Sequence, residues 1–176
     1  PEGIDPAPEM LFYPARSSHA EKACPYGAVN GSQLDRATCR NCADRPCVHI
    51  AKDPAFEFAG QEMTVASLVE RATAARPLFG RDGGVTFAGG EPTLQADDVL
   101  AAVSELKQRR IHTAIDTNAG TSQFARFPGQ LDLIIADLKC VSPDLHTKHT
   151  GADNGRTLSN LLSAAERQRD LLVRVT

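Results

Sequence analysis

Tryptophan is absent from this 176-residue chain, tyrosine occurs twice, and aromatic residues make up 5% of it. A core built from such a sequence is aliphatic. Long apolar runs are lacking as well. The longest, residues 131–136, is interrupted by Asp132 and falls far short of the roughly 20 residues that span a bilayer. The chain opens Pro1-Glu2-Gly3, with no basic start leading into an apolar stretch, so no secretory signal is read and a cytoplasmic location is expected. Charge of one sign is also scarce. A net charge of −3 supplies no electrostatic pull towards nucleic acid or an anionic membrane, and neither is expected as a partner. What remains, 41% hydrophobic and 23% charged residues, is the make-up of an ordinary soluble domain and excludes a disordered tail or a collagen-like fibre.

Cysteine is present and unevenly placed. Four of the five fall between Cys24 and Cys47. Four thiols packed so closely in a chain without a secretory signal read as metal ligands before they read as disulfides. The fifth, Cys140, follows an apolar stretch and reads as a small buried hydrophobe.

The pattern divides the chain into residues 1–62 and 63–176. The first part is rich in breakers, among them Pro14, Pro25, Pro46 and Pro54, and no helix is legible in it. From Met63 onward the pattern is regular. Thr64 precedes a helix with Val65, Leu68, Val69 and Ala72 on one face. A second helix carries Val99, Val103 and Leu106 and ends at Arg109-Arg110; a third carries Leu158, Leu161, Leu162 and Ala165. Strands are expected at 85–88, 111–115, 131–138 and 171–175, the third apolar enough to be buried on both faces. Strands alternating with helices mean an α/β fold with a parallel sheet. Four strands cannot close an eight-stranded barrel, which usually needs about 250 residues. With an apolar strand running to Thr176, the expectation is a partial β/α barrel and an internal piece of a longer protein.

Parallel sheets bind ligands beyond the C-terminal ends of their strands. Here those ends read Gly89-Gly90-Glu91-Pro92, Asp116-Thr117-Asn118-Ala119-Gly120 and Asp137-Leu138-Lys139, with Arg174 on the last strand. Such residues are common in turns singly, but together they form a polar rim suited to a zwitterionic ligand. The glycines are not followed by Lys-Ser/Thr, so this is no phosphate-binding P-loop, and the dinucleotide-binding glycine pattern is missing.

Gly-Gly-Glu-Pro, Asp-Thr-Asn-x-Gly and Asp-Leu-Lys in this order, with His149-Thr150-Gly151 and the strand around Arg174, resemble the radical S-adenosylmethionine (SAM) superfamily. The resemblance is to the activating enzymes of glycyl-radical enzymes, such as pyruvate formate-lyase activase. It implies that Gly89, Gly90 and Glu91 line the site for the amino group of SAM. It implies that Asp116, Thr117 and Asp137, beside Asn118, face a monovalent cation and the cofactor. Lys139 and Arg174 would approach the cofactor's carboxylate, with Ser142 and Asp144 as weaker contacts. An ammonium group suits carbonyls and a carboxylate, and a carboxylate suits Lys or Arg. The partners implied are a glycyl-radical enzyme and an electron donor such as flavodoxin or ferredoxin. The activity implied is reductive cleavage of SAM to a 5′-deoxyadenosyl radical that takes hydrogen from a glycine of the partner.

The Cys-x3-Cys-x2-Cys that holds the catalytic 4Fe–4S cluster in that family is not in this sequence and is expected upstream of Pro1. Without it, the chain alone is expected to be inactive. The cysteines before Met63 then resemble the ferredoxin-like auxiliary insert of such activases. The two-cluster ferredoxin run is Cys-x2-Cys-x2-Cys-x3-Cys-Pro, whose fourth Cys serves the other cluster. Cys24-Pro25 fits the end of one run, whose other positions are Pro14, Ser17 and Ala20. A second run keeps Cys39 and Cys42, then Cys47 two residues late, with Ala51 at its fourth position. Crossing over, one cluster keeps Cys24, Cys39, Cys42 and Cys47, while the other has lost every ligand. A structural zinc is the alternative for these thiols, and His49 is a possible substitute ligand. His19, His112, His146 and His149 read as surface or packing residues. Two rival functions stay open: a radical SAM enzyme acting on a small molecule, and a non-catalytic cluster- or zinc-binding module. The sequence upstream of Pro1 separates the second rival from the others. A glycyl-radical enzyme encoded beside the parent protein separates the first.

Overall fold

The structure, a computed structural model, describes residues 10–81 and 83–175. The Pro1-Glu2-Gly3 opening lies outside the described residues. Two compact units divide the chain between Glu62 and Met63.

The first unit is built from short pieces. Strand β1 (Met10–Phe12) pairs antiparallel with β4 (Phe56–Phe58), and β2 (Val29–Asn30) with β3 (Gln33–Leu34). Between them lie α1 (Ala20–Ala23), α2 (Arg36–Arg40) and α3 (Pro46–His49). These helices were not expected. Four or five residues are too few to show a period, and each is defined instead at its ends. Asp35 accepts hydrogen bonds from the Ala37 and Thr38 amides to start α2, and Pro46 opens α3 with its φ already fixed. Met10, Ala20, Val29, Cys47, Ala55 and Phe56 form a small buried cluster, with Phe12 stacked on Phe56 at 5.3 Å.

The second unit is a mixed α/β layer around a parallel sheet. Strands β5 (Gly84–Phe87), β6 (His112–Thr117), β7 (Leu133–Leu138) and β8 (Asp170–Val175) lie in that order, each parallel to the next. Helices α4 (Val65–Ala74), α5 (Ala96–Gln108), α6 (Pro143–Thr150) and α7 (Gly155–Arg167) connect and cover them. The apolar faces of α5 and α7 bury Val103, Leu161 and Ala164 against Ile115 of β6 and Ile134, Ala136 and Leu138 of β7. Helix α4 packs Val69 against Ala102 and Leu106 of α5. No helix among the described residues is long and apolar enough to cross a membrane.

The core is not purely aliphatic, since Phe124 and Phe127 are fully buried within it. Two further expectations are corrected here. Strand β7 is not buried on both faces. Ile134, Ala136 and Leu138 lie under the helices, while Leu133, Ile135 and Asp137, on the opposite face, are half-buried. One layer of helices covers one side of a pleated sheet, and side chains alternate between its sides. The second correction is α6, which sequence periodicity does not reveal because its one large aliphatic residue, Leu145, is exposed. It is set by its ends: Ser142 caps the Leu145 amide, Pro143 is the first helical residue, and Gly151 closes it at φ +80°.

Candidate functional site

Parallel register decides which strand-end residues meet. Asp116 lies beside Ile135, two residues before Asp137, and Asp137 lies beside Arg174. Residues in register, and residues two apart on one strand, share a face. Asp116, Asp137 and Arg174 therefore project together from the face that α5 and α7 leave uncovered, at the C-terminal ends of β6, β7 and β8. Their side chains are bonded. Arg174 donates from Nε to Asp137 Oδ1 at 2.7 Å and from Nη2 to Asp116 Oδ1 at 2.7 Å. Lys139 Nζ donates to the other Asp137 oxygen at 2.8 Å. Burial by itself would raise the pKa of Asp137, but the hydrogen bonds from Lys139 and Arg174 outweigh it and hold the carboxyl below its ordinary value. The two carboxylates in turn push the Arg174 guanidinium up.

This cluster pairs two anions with two cations, so it is close to neutral as it stands. A ligand with an ammonium and a carboxylate exchanges partners with it without leaving a charge unpaired. The same geometry puts the Arg174 guanidinium between the two carboxylates that the resemblance assigns to a monovalent cation.

Thr117 and Glu91 are bonded to each other rather than to the carboxylate pair. Thr117 is one residue further along β6 than Asp116 and so points to the opposite face, where it is buried. Its hydroxyl donates to Glu91 Oε1 at 2.6 Å instead of joining the carboxylate pair. Glu91 is 6% exposed, and its carboxylate is engaged four times. It accepts from Thr117 Oγ1, from Thr93 Oγ1 at 2.6 Å, from the Thr93 amide at 3.2 Å and from the Asn118 amide at 2.9 Å. Glu91 thus locks the loop after β5 to the loop after β6. The preceding glycines have positive φ, +83° at Gly89 and +53° at Gly90, a conformation that L side chains adopt only with strain. Asn118 uses its side-chain oxygen to accept from the Gly120 amide at 2.7 Å.

Ser142 and Asp144 do not join the cluster. Ser142 caps α6 and Asp144 is exposed in that helix's first turn. Cys140 is half-buried rather than buried. His146 is a packing residue, its Nδ1 2.8 Å from the Ala152 carbonyl and 3.0 Å from the Thr150 hydroxyl.

In the first unit, Cys24, Cys39, Cys42 and Cys47 line a single cavity with apolar walls from Ala28, Leu34 and Phe56. Burial pushes the Cys47 thiol up, and Cys24, Cys39 and Cys42 add to the shift from within electrostatic reach. Among the described residues, however, no three His, Cys, Asp or Glu side chains stand close enough together to hold one metal ion. A 4Fe–4S cluster takes four thiolates, one at each iron, and the four cysteines that line this cavity are that donor set. His49 packs its ring on Phe58 at 5.9 Å and does not line the cavity.

Sequence reasoning missed Arg45. It lines the same cavity and donates to the Cys39 carbonyl and, at 3.6 Å, to the Cys39 sulfur. It also missed Thr93, Asn160 and Gln168, the polar residues that secure the loops. Asn160 Nδ2 donates to the Ala119 and Thr121 carbonyls at 2.7 and 3.0 Å. The buried Gln168 accepts from the Gly129 amide and donates to the Leu131 carbonyl. Only the fold brings these residues to their partners.

A profile of the radical SAM superfamily matches residues 23–176. An isethionate sulfite-lyase activating enzyme of Desulfovibrio desulfuricans is 29% identical over 94% of this chain and 57% of its own length. A pyruvate formate-lyase-activating enzyme of Staphylococcus aureus is 33% identical over 65% of this chain and 49% of its own. A crystallised domain of a pyruvate-formate lyase-activating enzyme from Bacteroides vulgatus shares 29% identity, with a TM-score of 0.47 over 53% of this chain and 59% of that one. The chain spans about half the length of the curated relatives it matches. It belongs to the radical SAM superfamily.

Proposed function

We propose that this chain is part of a cytoplasmic activating enzyme for a glycyl-radical enzyme, with SAM bound over the C-terminal ends of β6, β7 and β8. The observation that carries the reading is the convergence of Asp116, Asp137, Lys139 and Arg174 on the uncovered sheet face. Relatives named as activating enzymes support the class of partner, a glycyl-radical enzyme. Lys139 and Arg174 orient the methionine carboxylate by charge-assisted hydrogen bonds, and Asp116 and Asp137 are then freed for a monovalent cation and the cofactor. Gly89 and Gly90 bring main chain to the amino group, while Glu91 holds that loop in place. When bound in the parent protein, a reduced 4Fe–4S cluster on cysteines outside this sequence supplies the electron that cleaves the sulfonium, delivered by a donor of the flavodoxin or ferredoxin class.

The first unit acts as a ferredoxin-like insert with one auxiliary cluster on Cys24, Cys39, Cys42 and Cys47. Four cysteines would supply a ligand to each iron of that cluster and leave no open site for SAM, so this chain by itself is expected to be inactive in SAM cleavage. The test uses the full-length parent, reconstituted anaerobically with iron and sulfide and mixed with SAM, dithionite and a glycyl-radical enzyme from the same genome. Formation of 5′-deoxyadenosine together with a glycyl-radical signal on that enzyme is expected. Deoxyadenosine without a protein radical would move the reading to a small-molecule substrate. Neither product would overturn it.

A further inference from the structure

The thiol cavity contains a charge that the ferredoxin pattern does not ask for. Arg45 sits at φ +44°, a left-handed conformation uncommon outside glycine, immediately before Pro46 opens α3. From there its side chain reaches the end of α2. Its guanidinium donates to the Cys39 carbonyl, to the Arg40 carbonyl at 3.5 Å and to the Cys39 sulfur at 3.6 Å. Cys42 donates from its sulfur to Asp44 at 3.4 Å, and Asp44 is held by the Tyr26 hydroxyl at 3.0 Å. One thiol of the set therefore faces a cation and another faces a carboxylate.

Resting on the reading that these four cysteines hold an auxiliary 4Fe–4S cluster, we propose that Arg45 is a positioning residue that sets the cluster's reduction potential. Four thiolates make such a cluster anionic, and reduction adds one further negative charge. A fixed guanidinium beside one ligating sulfur stabilises the reduced form more than the oxidised form, which raises the potential. Hydrogen bonds to the sulfurs act in the same direction. Arg45 and Cys39 are both half-buried, so solvent screens the charge only in part. The step is a one-electron transfer, from dithionite in the assay, and neither makes nor breaks a bond. The competing role is structural: the same guanidinium ties the last carbonyls of α2, where a cation is favourable in any case.

The experiment uses the reconstituted full-length parent with Arg45→Gln and Arg45→Lys. Iron per chain is counted, and the midpoint potential is read from a dithionite titration followed by electron paramagnetic resonance. The auxiliary cluster is taken as the signal that SAM does not alter. Arg45→Gln keeps a donor without the charge and is expected to shift the potential to more negative values at unchanged iron content. Arg45→Lys keeps the charge and is expected to lie near the wild type. Iron lost in the Gln variant but retained in the Lys variant assigns the charge to holding α2 rather than to tuning the potential and overturns the proposal. An unchanged potential in Arg45→Gln, or iron lost from both variants, reduces Arg45 to a helix tether and overturns the proposal. A wild-type parent with no iron and sulfide beyond a catalytic cluster overturns the cluster reading itself.

Discussion

Glu91 shows how a single buried carboxylate can hold two loops together. A carboxylate that is 6% exposed is sustainable here because four donors surround it. Glu91→Gln turns one acceptor oxygen into an NH2 group that faces donors. Hydrogen bonds to a charged group contribute about 1.5–3 kcal/mol each, so a loss of about 3 kcal/mol is expected. Chemical denaturation measures it, and a change below about 0.5 kcal/mol would show that the loops hold together without this carboxylate. Asp137 makes a prediction about pH. Its folded pKa is lowered, so the stability it contributes is full above its unfolded value of about 3.9 and is lost as pH falls through the lower folded value. Denaturation midpoints of wild type and Asp137→Asn should therefore differ at pH 6 and converge in the acid range below about pH 4. A difference that persisted at lower pH would mean that the ion pairs with Arg174 and Lys139 are not its source.

Among the elements, the helices form in two ways. Helices α5 and α7 are amphipathic and are legible from the spacing of Val103 and Leu106 or of Leu158 and Leu161, because one face of each is buried against the sheet. Helices α2, α3 and α6 have no such stripe and depend on their end residues. Thr64, which accepts from the Ser67 amide at 3.1 Å, belongs to both groups, since it caps the amphipathic α4. Thr64→Ala is expected to lower stability by about 1 kcal/mol, read from the denaturation midpoint. Helix α7 also carries Asn160, which holds the loop after β6 through two carbonyls. Asn160→Ala is expected to speed amide exchange at Gly120 and its neighbours while leaving the β6–β7 ladder protected. Uniformly faster exchange across the sheet would assign Asn160 to global stability instead.

At the scale of the whole molecule, the proposed cofactor site is a consequence of strand order. In the parent enzyme, Lys139→Ala is expected to weaken SAM binding roughly ten- to a hundredfold, as the loss of one charge-assisted hydrogen bond implies. Asp116→Ala is expected to weaken it by an amount that differs between potassium and sodium, with cluster content unchanged in both variants. Equilibrium binding in the two salts decides, and wild-type affinity throughout would remove the cofactor from this face. The sequence by itself determined the alternation of strands and helices, the residues that end each strand and the grouping of four cysteines. These are local matters of periodicity, turn chemistry and spacing. It also named Asp116, Asp137, Lys139 and Arg174, though Arg174 is 58 residues from Asp116. Only the tertiary structure decided that these four pair with one another, that Thr117 turns away to Glu91, and that Arg45 reaches the thiol cavity. Each of those depends on which face a side chain takes and on what the folded chain brings beside it. Neither is fixed until parallel register aligns β6, β7 and β8, or until the side chain of Arg45 reaches the end of α2.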